Sequence, residues 1–239
     1  MLSVAQNKMQ ALNATTRVIP FGQELNPETY ATCCSDMILK GNTNSRIVLG
    51  NSFNEDGFQG QTFDYMLSNP PFGVDWKKVE KFIKDEAKNK GYSGRFGAGL
   101  PRISDGSFLF LQHLISKMNA PENGGSRIGI VFNGSPMFSG DAGSGESEIR
   151  RWIENDLLEA IIGLPDQLFY NTGITTYIWI LTNRKENRRK GKVRLINGAG
   201  FYEKMRKGLG NKRNMVSSEN RAEIVRLYST YEPDENYMD

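Results

Sequence analysis

Strand-like apolar runs alternate with helix-like segments through most of this 239-residue sequence, and that rhythm constrains the fold more than any other feature. Residues 18–21, 47–49, 63–67, 127–132 and 157–162 read as strands, and residues 27–39, 107–118 and 146–155 as helices. Such alternation predicts an α/β fold with a mostly parallel sheet. Near the end the rhythm changes. The runs at 175–182 and 192–196 are joined by a polar, basic stretch, which predicts an antiparallel hairpin at the C-terminal edge of the sheet. From residue 204 the chain reads as a separate C-terminal extension, 204–239, with a helical run at 218–228 and then an acidic tail. Residues 1–203 are the expected core, and the sequence shows no internal repeat.

Hydrophobic residues make up 38% and charged residues 24%, enough to bury a core and solvate a surface. No run approaches the roughly 18 consecutive apolar residues of a membrane span, and the N-terminus lacks the basic and apolar segments of a secretory signal. A cytoplasmic protein is expected. The two cysteines, Cys33 and Cys34, are adjacent on a helix, where neighbouring side chains point apart, and the single histidine, His113, sits among apolar residues of another helix. Neither has the partners of a metal site, so both are read as packed helix residues. The positive charge is concentrated between Arg184 and Arg194 and again between Lys204 and Arg213. A cluster of this kind suits nucleic-acid phosphates or a solvated loop alike.

Two long polar stretches, 89–106 and 134–145, interrupt the rhythm. Loops of that length inside a compact domain are commonly lids or binding loops, and both are expected beside the active site. The strongest chemical signal is Asn69-Pro70-Pro71-Phe72, directly after the strand at 63–67. Ligands of open parallel sheets bind beyond the carboxyl ends of the strands, where this tetrapeptide falls. The Asn69 amide oxygen and the Pro70 carbonyl can each accept one hydrogen of a planar NH2 group, which makes the amine a better nucleophile. Consecutive prolines fix φ near −65° and hold both acceptors in place, while Phe72 offers a face for a stacked base.

With these residues the sequence resembles the class I methyltransferases that modify amino groups, whose hallmark is Asp/Asn/Ser-Pro-Pro-Tyr/Phe after the fourth strand. The segments FGQELNPETY (21–30), GRFGAGLPRISDGSFLFLQHL (94–114) and LFYNTGITTYIWILTNRK (168–185) narrow the likeness to the modification subunit of type I restriction-modification systems. The resemblance implies a Rossmann-like fold, S-adenosylmethionine as cofactor, and methyl transfer to the N6 amine of adenine in DNA. It also implies a specificity subunit and a restriction subunit as partners, the former reading the DNA site. Glu24 matches the acidic residue that holds the cofactor ribose. Asn51 and Phe53, after the next strand, match the segment that meets its adenine. Two other readings stay open at this point: methylation of a glutamine side chain or an RNA guanine, which present similar NH2 groups, and a non-catalytic assembly role.

The same resemblance places a glycine-rich cofactor loop, and the first strand before it, upstream of Met1. Residues 1–13 match the helix that follows that loop. The 239 residues therefore read as a core lacking its first strand, with weak cofactor binding expected of it alone. Unpaired strand edges would then favour a homo-oligomer or a rearranged sheet.

Overall fold

The computed structural model describes residues 1–230, so the acidic tail read at 232–239 lies outside the described residues. The chain divides into two compact units, Met1–Gln61 with Lys81–Ile83, and Thr62–Glu80 with the residues from Lys84 onward.

The first unit contains α1 (Leu2–Leu12), β1 (Phe21–Glu24), α2 (Pro27–Leu39) and β2 (Arg46–Leu49). β1 and β2 pair in parallel, from Phe21 opposite Arg46 to Glu24 opposite Leu49. The strand begins at Phe21 rather than at residue 18 because Pro20 has no N–H for a ladder; its carbonyl still accepts from the Arg46 amide at 2.8 Å. α2 starts where its sequence dictates. Asn26 Oδ1 accepts from the amides of Glu28 and Thr29 at 2.8 and 3.1 Å, and Pro27 occupies the first helical position. Cys33 and Cys34 lie on this helix as free thiols.

The second unit is built on a five-stranded sheet of β3 (Tyr65–Ser68), β4 (Arg127–Phe132), β5 (Leu158–Gly163), β6 (Tyr177–Thr182) and β7 (Arg194–Asn197), in the order β3-β4-β6-β5-β7. Four strands run one way and only β6 runs against them. The sheet is thus mostly parallel, as the sequence predicts. The predicted edge hairpin is not formed: β6 lies between β4 and β5, and β7 pairs with β5 in parallel instead of with β6. The reason is visible in β6 itself, which is apolar on both faces. Trp179 and Leu181 join one core, while Ile178 and Ile180 pack against the other. A strand buried on both sides belongs inside a sheet, not at its edge.

Helices α4 (Ser107–Ile115) and α6 (Gly145–Glu154) bring Phe108, Leu111, Ile149 and Ile153 onto the face presented by Ile128, Ile130 and Phe132 of β4. Phe108, Phe132 and Trp179 meet edge to face, with centroids 5.2–6.2 Å apart, a favoured aromatic arrangement. On the opposite face α7 (Ser218–Ser229) covers Ile162 and Ile196 with Ile224 and Leu227. α3 (Glu80–Lys90) occupies a segment to which the sequence assigned no element and ends just inside the first polar stretch, and the short α5 (Ser135–Phe138) fills part of the second. Between β7 and α7 the chain forms a two-stranded antiparallel hairpin, β8 (Glu203–Leu209) and β9 (Lys212–Met215). Among the described residues no helix is long and apolar enough to cross a membrane.

Candidate functional site

β3 ends at Ser68 and delivers Asn69-Pro70-Pro71-Phe72 to the carboxyl edge of the five-stranded sheet. Asn69 and Pro71 are exposed, Pro70 is buried, and Phe72 is partly buried. The Asn69 side chain is therefore open to a ligand while the backbone beneath it is anchored. The anchor continues downstream. Trp76, 3% exposed, donates from its indole N–H to the Arg102 carbonyl at 2.9 Å, and its amide bonds to the Ile103 carbonyl at 3.0 Å. Gly106 N–H closes the brace on Val74 O at 2.9 Å. The segment after the motif is thus pinned to residues 102–106, the end of the first long polar stretch.

The stretch 102–106 is pinned in turn to the second one. The Arg102 amide donates to Glu146 Oε1 at 2.9 Å, and its guanidinium Nη2 reaches Ser135 Oγ and Ser139 Oγ at 2.8 and 2.9 Å. Asp105 Oδ2 accepts from Ser135 Oγ at 2.8 Å, and its Oδ1 accepts from the amide and hydroxyl of Ser107 at 3.0 and 2.6 Å. Gly145 completes the contact, because a side chain there would strike the Leu100 carbonyl. Polar side chains half-removed from water must find partners, and this network satisfies them while fixing two loops to one another.

The loop after β5, residues 164–176, reaches the same edge of the sheet, since Gly163 of β5 and Phe132 of β4 both stand opposite Tyr177 of β6. It carries Phe169, whose ring meets Phe72 edge to face with centroids 6.4 Å apart. The loop is held by the β8–β9 hairpin. Gln167, at φ 54°, accepts from the amides of Arg213 and Asn214 at 3.0 and 3.2 Å, and the Asn211 amide bonds to Tyr170 O at 3.0 Å. The buried Asn214 side chain adds bonds to Asp166 O and Oδ1, both at 3.1 Å. Sequence reasoning assigned Phe169 no role. Its position in the segment 168–185 was the available signal, but nothing in its spacing tells a site aromatic from a core one.

Glu24, Asn51 and Phe53 lie in the first unit. Glu24 ends β1, where its Oε1 accepts from the Asn26 amide at 2.9 Å and its backbone carbonyl accepts from Gly50 N–H at 2.9 Å. Among the described residues its second carboxylate oxygen has no hydrogen-bond partner, at the carboxyl end of a parallel strand. Asn51 follows β2 and spends Oδ1 on the Phe53 amide at 3.0 Å, while Phe53 is only 6% exposed. A carboxylate acceptor beside Gly50, whose φ of 153° suits glycine, matches the chemistry needed to hold a ribose diol. Phe53 has little ring surface left for a ligand to stack on.

Three of the seven cations of the first basic cluster are spent on the fold, and Arg184, Arg188, Lys190 and Lys192 are exposed. Lys185 is buried and pairs with Asp156 at 3.0 Å, Arg189 is buried against Glu159 at 3.0 Å, and Arg194 is buried as well. His113 Nδ1 lies 3.1 Å from the Arg95 guanidinium, which is itself paired with Glu86 at 2.6 Å. Burial raises the Glu86 carboxyl, and the bonds from Arg95 outweigh it and hold the group below its usual range.

The family model described as N-6 DNA Methylase matches residues 1–239. The type I restriction enzyme MjaIX methylase subunit of Methanocaldococcus jannaschii is 28% identical over 217 residues, 90% of this chain and 36% of that protein. The chain thus spans about a third of the length of the curated relatives it matches. The crystal structure of the type I restriction-modification system methyltransferase subunit from Streptococcus thermophilus superposes with a TM-score of 0.75 at 26% identity, over 92% of this chain and 44% of that one. A Listeria monocytogenes structure assigned to the class I S-adenosylmethionine-dependent methyltransferases shares the fold, with a TM-score of 0.61 at 13% identity over 96% of this chain and 60% of that one.

Proposed function

The chain belongs to the N-6 DNA methylase family, and from that premise we propose that it is the catalytic part of an enzyme that methylates the N6 amine of adenine in DNA, within a type I restriction-modification system. The observation that carries the reading is the exposed Asn69 on an anchored Pro-Pro turn at the carboxyl edge of the sheet, with Phe72 and Phe169 beside it. Asn69 Oδ1 and the Pro70 carbonyl accept the two amine hydrogens and orient the nitrogen lone pair. They also stabilise the positive charge that grows on nitrogen as the new bond forms. No general base with a shifted pKa is required, because the proton becomes acidic only after the nitrogen has become cationic.

An adenine amine inside a base pair is out of reach, so the base must leave the stack at a cost of about a few kcal/mol. Phe72 offsets that cost by stacking, and Phe169 supports it edge-on. S-adenosylmethionine supplies the methyl group, with Glu24 holding its ribose and Asn51 and Phe53 beside its adenine. A specificity subunit and a restriction subunit are the proposed partners, and the cytoplasm, where DNA is accessible, is the proposed location.

Replacing Phe72 tests the base-stacking role. Phe72→Tyr and Phe72→Trp are expected to keep activity, and Phe72→Ala to lose about 1–3 kcal/mol of binding to an extruded base. Steady-state methylation of paired and mismatched duplexes is the measurement, with the larger loss on the paired one. An inert Phe72→Ala would make the ring a packing residue. Glu24 tests the cofactor assignment. Glu24→Ala is expected to weaken S-adenosylmethionine by roughly 10- to 100-fold in calorimetric titration of the whole enzyme, on the scale of one or two charged hydrogen bonds. Glu24→Gln, which keeps the acceptor for the Asn26 amide, separates loss of the ligand contact from loss of the local turn. An affinity within twofold of wild type for both would remove Glu24 from the site.

A further inference from the structure

We propose that the β8–β9 hairpin is a phosphate-gripping element that tracks the DNA backbone next to the target base and holds the Phe169 loop in place; this rests on the DNA reading above. The hairpin carries five cations, Lys204, Arg206, Lys207, Lys212 and Arg213, against a single carboxylate, Glu203. Lys204, Arg206, Lys207 and Arg213 are exposed. Among the described residues none of these four has a salt-bridge partner. The contrast is with the other basic run, whose Lys185 and Arg189 are buried in ion pairs. Like charges on adjacent strands weaken the pairing that carries them, so a ribbon this rich in cations carries a cost to its own stability.

The ribbon is also aimed. Gly208 gives up its side chain to Arg213, whose Cδ and Nη1 lie 2.8 and 3.0 Å from where a Cβ would stand, so the guanidinium lies across the strand. Lys212 stacks over Tyr170 with its ammonium 5.1 Å from the ring centroid. Tyr170 follows Phe169 directly, and the amides of Asn211, Arg213 and Asn214 bond to Tyr170 O and Gln167 O. The element bearing the exposed cations is therefore the element that sets the loop of the aromatic that touches Phe72. Duplex DNA is the partner that fits: a dense, regular row of anions beside a base that has to be extruded. Backbone contacts made here would position the duplex without reading its sequence.

The test is duplex binding by the whole enzyme against salt, read by anisotropy of a labelled oligonucleotide, for wild type and for K204Q/R206Q/K207Q. Each phosphate contact contributes about 0.9 to the slope of log K against log salt, so the triple variant is expected to lose roughly 2–3 from that slope. An equal-charge control, K81Q/K88Q/K90Q on α3, is expected to lose less than about 1. Matched melting temperatures establish that the variants are folded, which the exposure of all three hairpin residues favours. An unchanged slope in the hairpin variant, or an equal loss in the control, overturns the proposal and leaves the DNA reading standing. No salt-dependent duplex binding by wild type overturns both. An unchanged slope combined with lost binding to polyaspartate assigns the hairpin to an acidic protein surface instead, and likewise overturns the proposal.

Discussion

Asn69→Ala is expected to lower adenine methylation by at least about 100-fold, some 2.7 kcal/mol of transition-state stabilisation, while S-adenosylmethionine affinity stays within about threefold. The size follows from what the side chain does. It is exposed, it stands on a turn held by Pro70 and by the Trp76 brace, and its role is to accept a hydrogen from an amine that is becoming cationic. Removing an acceptor aimed at developing charge affects turnover rather than cofactor binding. Asn69→Asp keeps an acceptor and is expected to retain more activity than alanine. Single-turnover methylation together with cofactor titration separates the two effects. Retention of more than a tenth of wild-type turnover by Asn69→Ala, a loss of less than about 1.4 kcal/mol, contradicts the assigned role.

The second large effect is on stability. Glu159, at 3% exposure, accepts from Arg189 Nη1 at 3.0 Å and from the Tyr228 hydroxyl at 2.6 Å, and it lies 3.3 Å from Arg127 Nε. Arg189 also stacks over the Tyr228 ring at 5.0 Å. One carboxylate thus ties β5 to α7 and to the turn before β7. Glu159→Ala is expected to cost about 3–5 kcal/mol, because it leaves buried guanidinium charge without its counter-ion. That is a large share of the roughly 5–15 kcal/mol that holds a typical domain together. Urea denaturation is the measurement, and a loss under about 1 kcal/mol would mean that the cations are solvated after all. The site has a pH signature too. Burial and the bond to Glu159 push the Tyr228 hydroxyl up to about 12 from its ordinary 10. Its contribution is complete below pH 10 and is lost as pH rises through about 12, a window that Glu159→Ala is expected to narrow.

The parts of this structure that were legible in sequence are those where one local interaction decides the outcome. α2 was legible because Asn26 and Pro27 define its start within two residues. The Asn-Pro-Pro-Phe turn was legible because the prolines fix it with little help from the rest of the chain. β6 was recognised as a strand but placed at an edge, since its neighbours β4 and β5 are set by packing on both faces and not by the turn that follows it. α3 went unread because only Ile83 of its 11 residues is buried, which leaves almost no apolar stripe. The cations at 185, 189 and 194 read as a surface cluster, suited to phosphates or to solvent alike, because their partners, Asp156 and Glu159 among them, lie on distant parts of the chain. Phe169 was hidden for a related reason. Its contact with Phe72 spans nearly a hundred residues and depends on two loops, one of them held by the basic hairpin, meeting at the same sheet edge.

The most direct test of the central claim is to follow the methyl group. The whole enzyme is incubated with duplex DNA and S-adenosylmethionine carrying a deuterated methyl, and the digested nucleosides are resolved by mass spectrometry. The label is expected only in N6-methyl-2′-deoxyadenosine, and it is expected to vanish with Asn69→Ala. Label on another atom of the DNA, on an RNA guanine or on a protein glutamine, or label that survives in Asn69→Ala, would contradict the account.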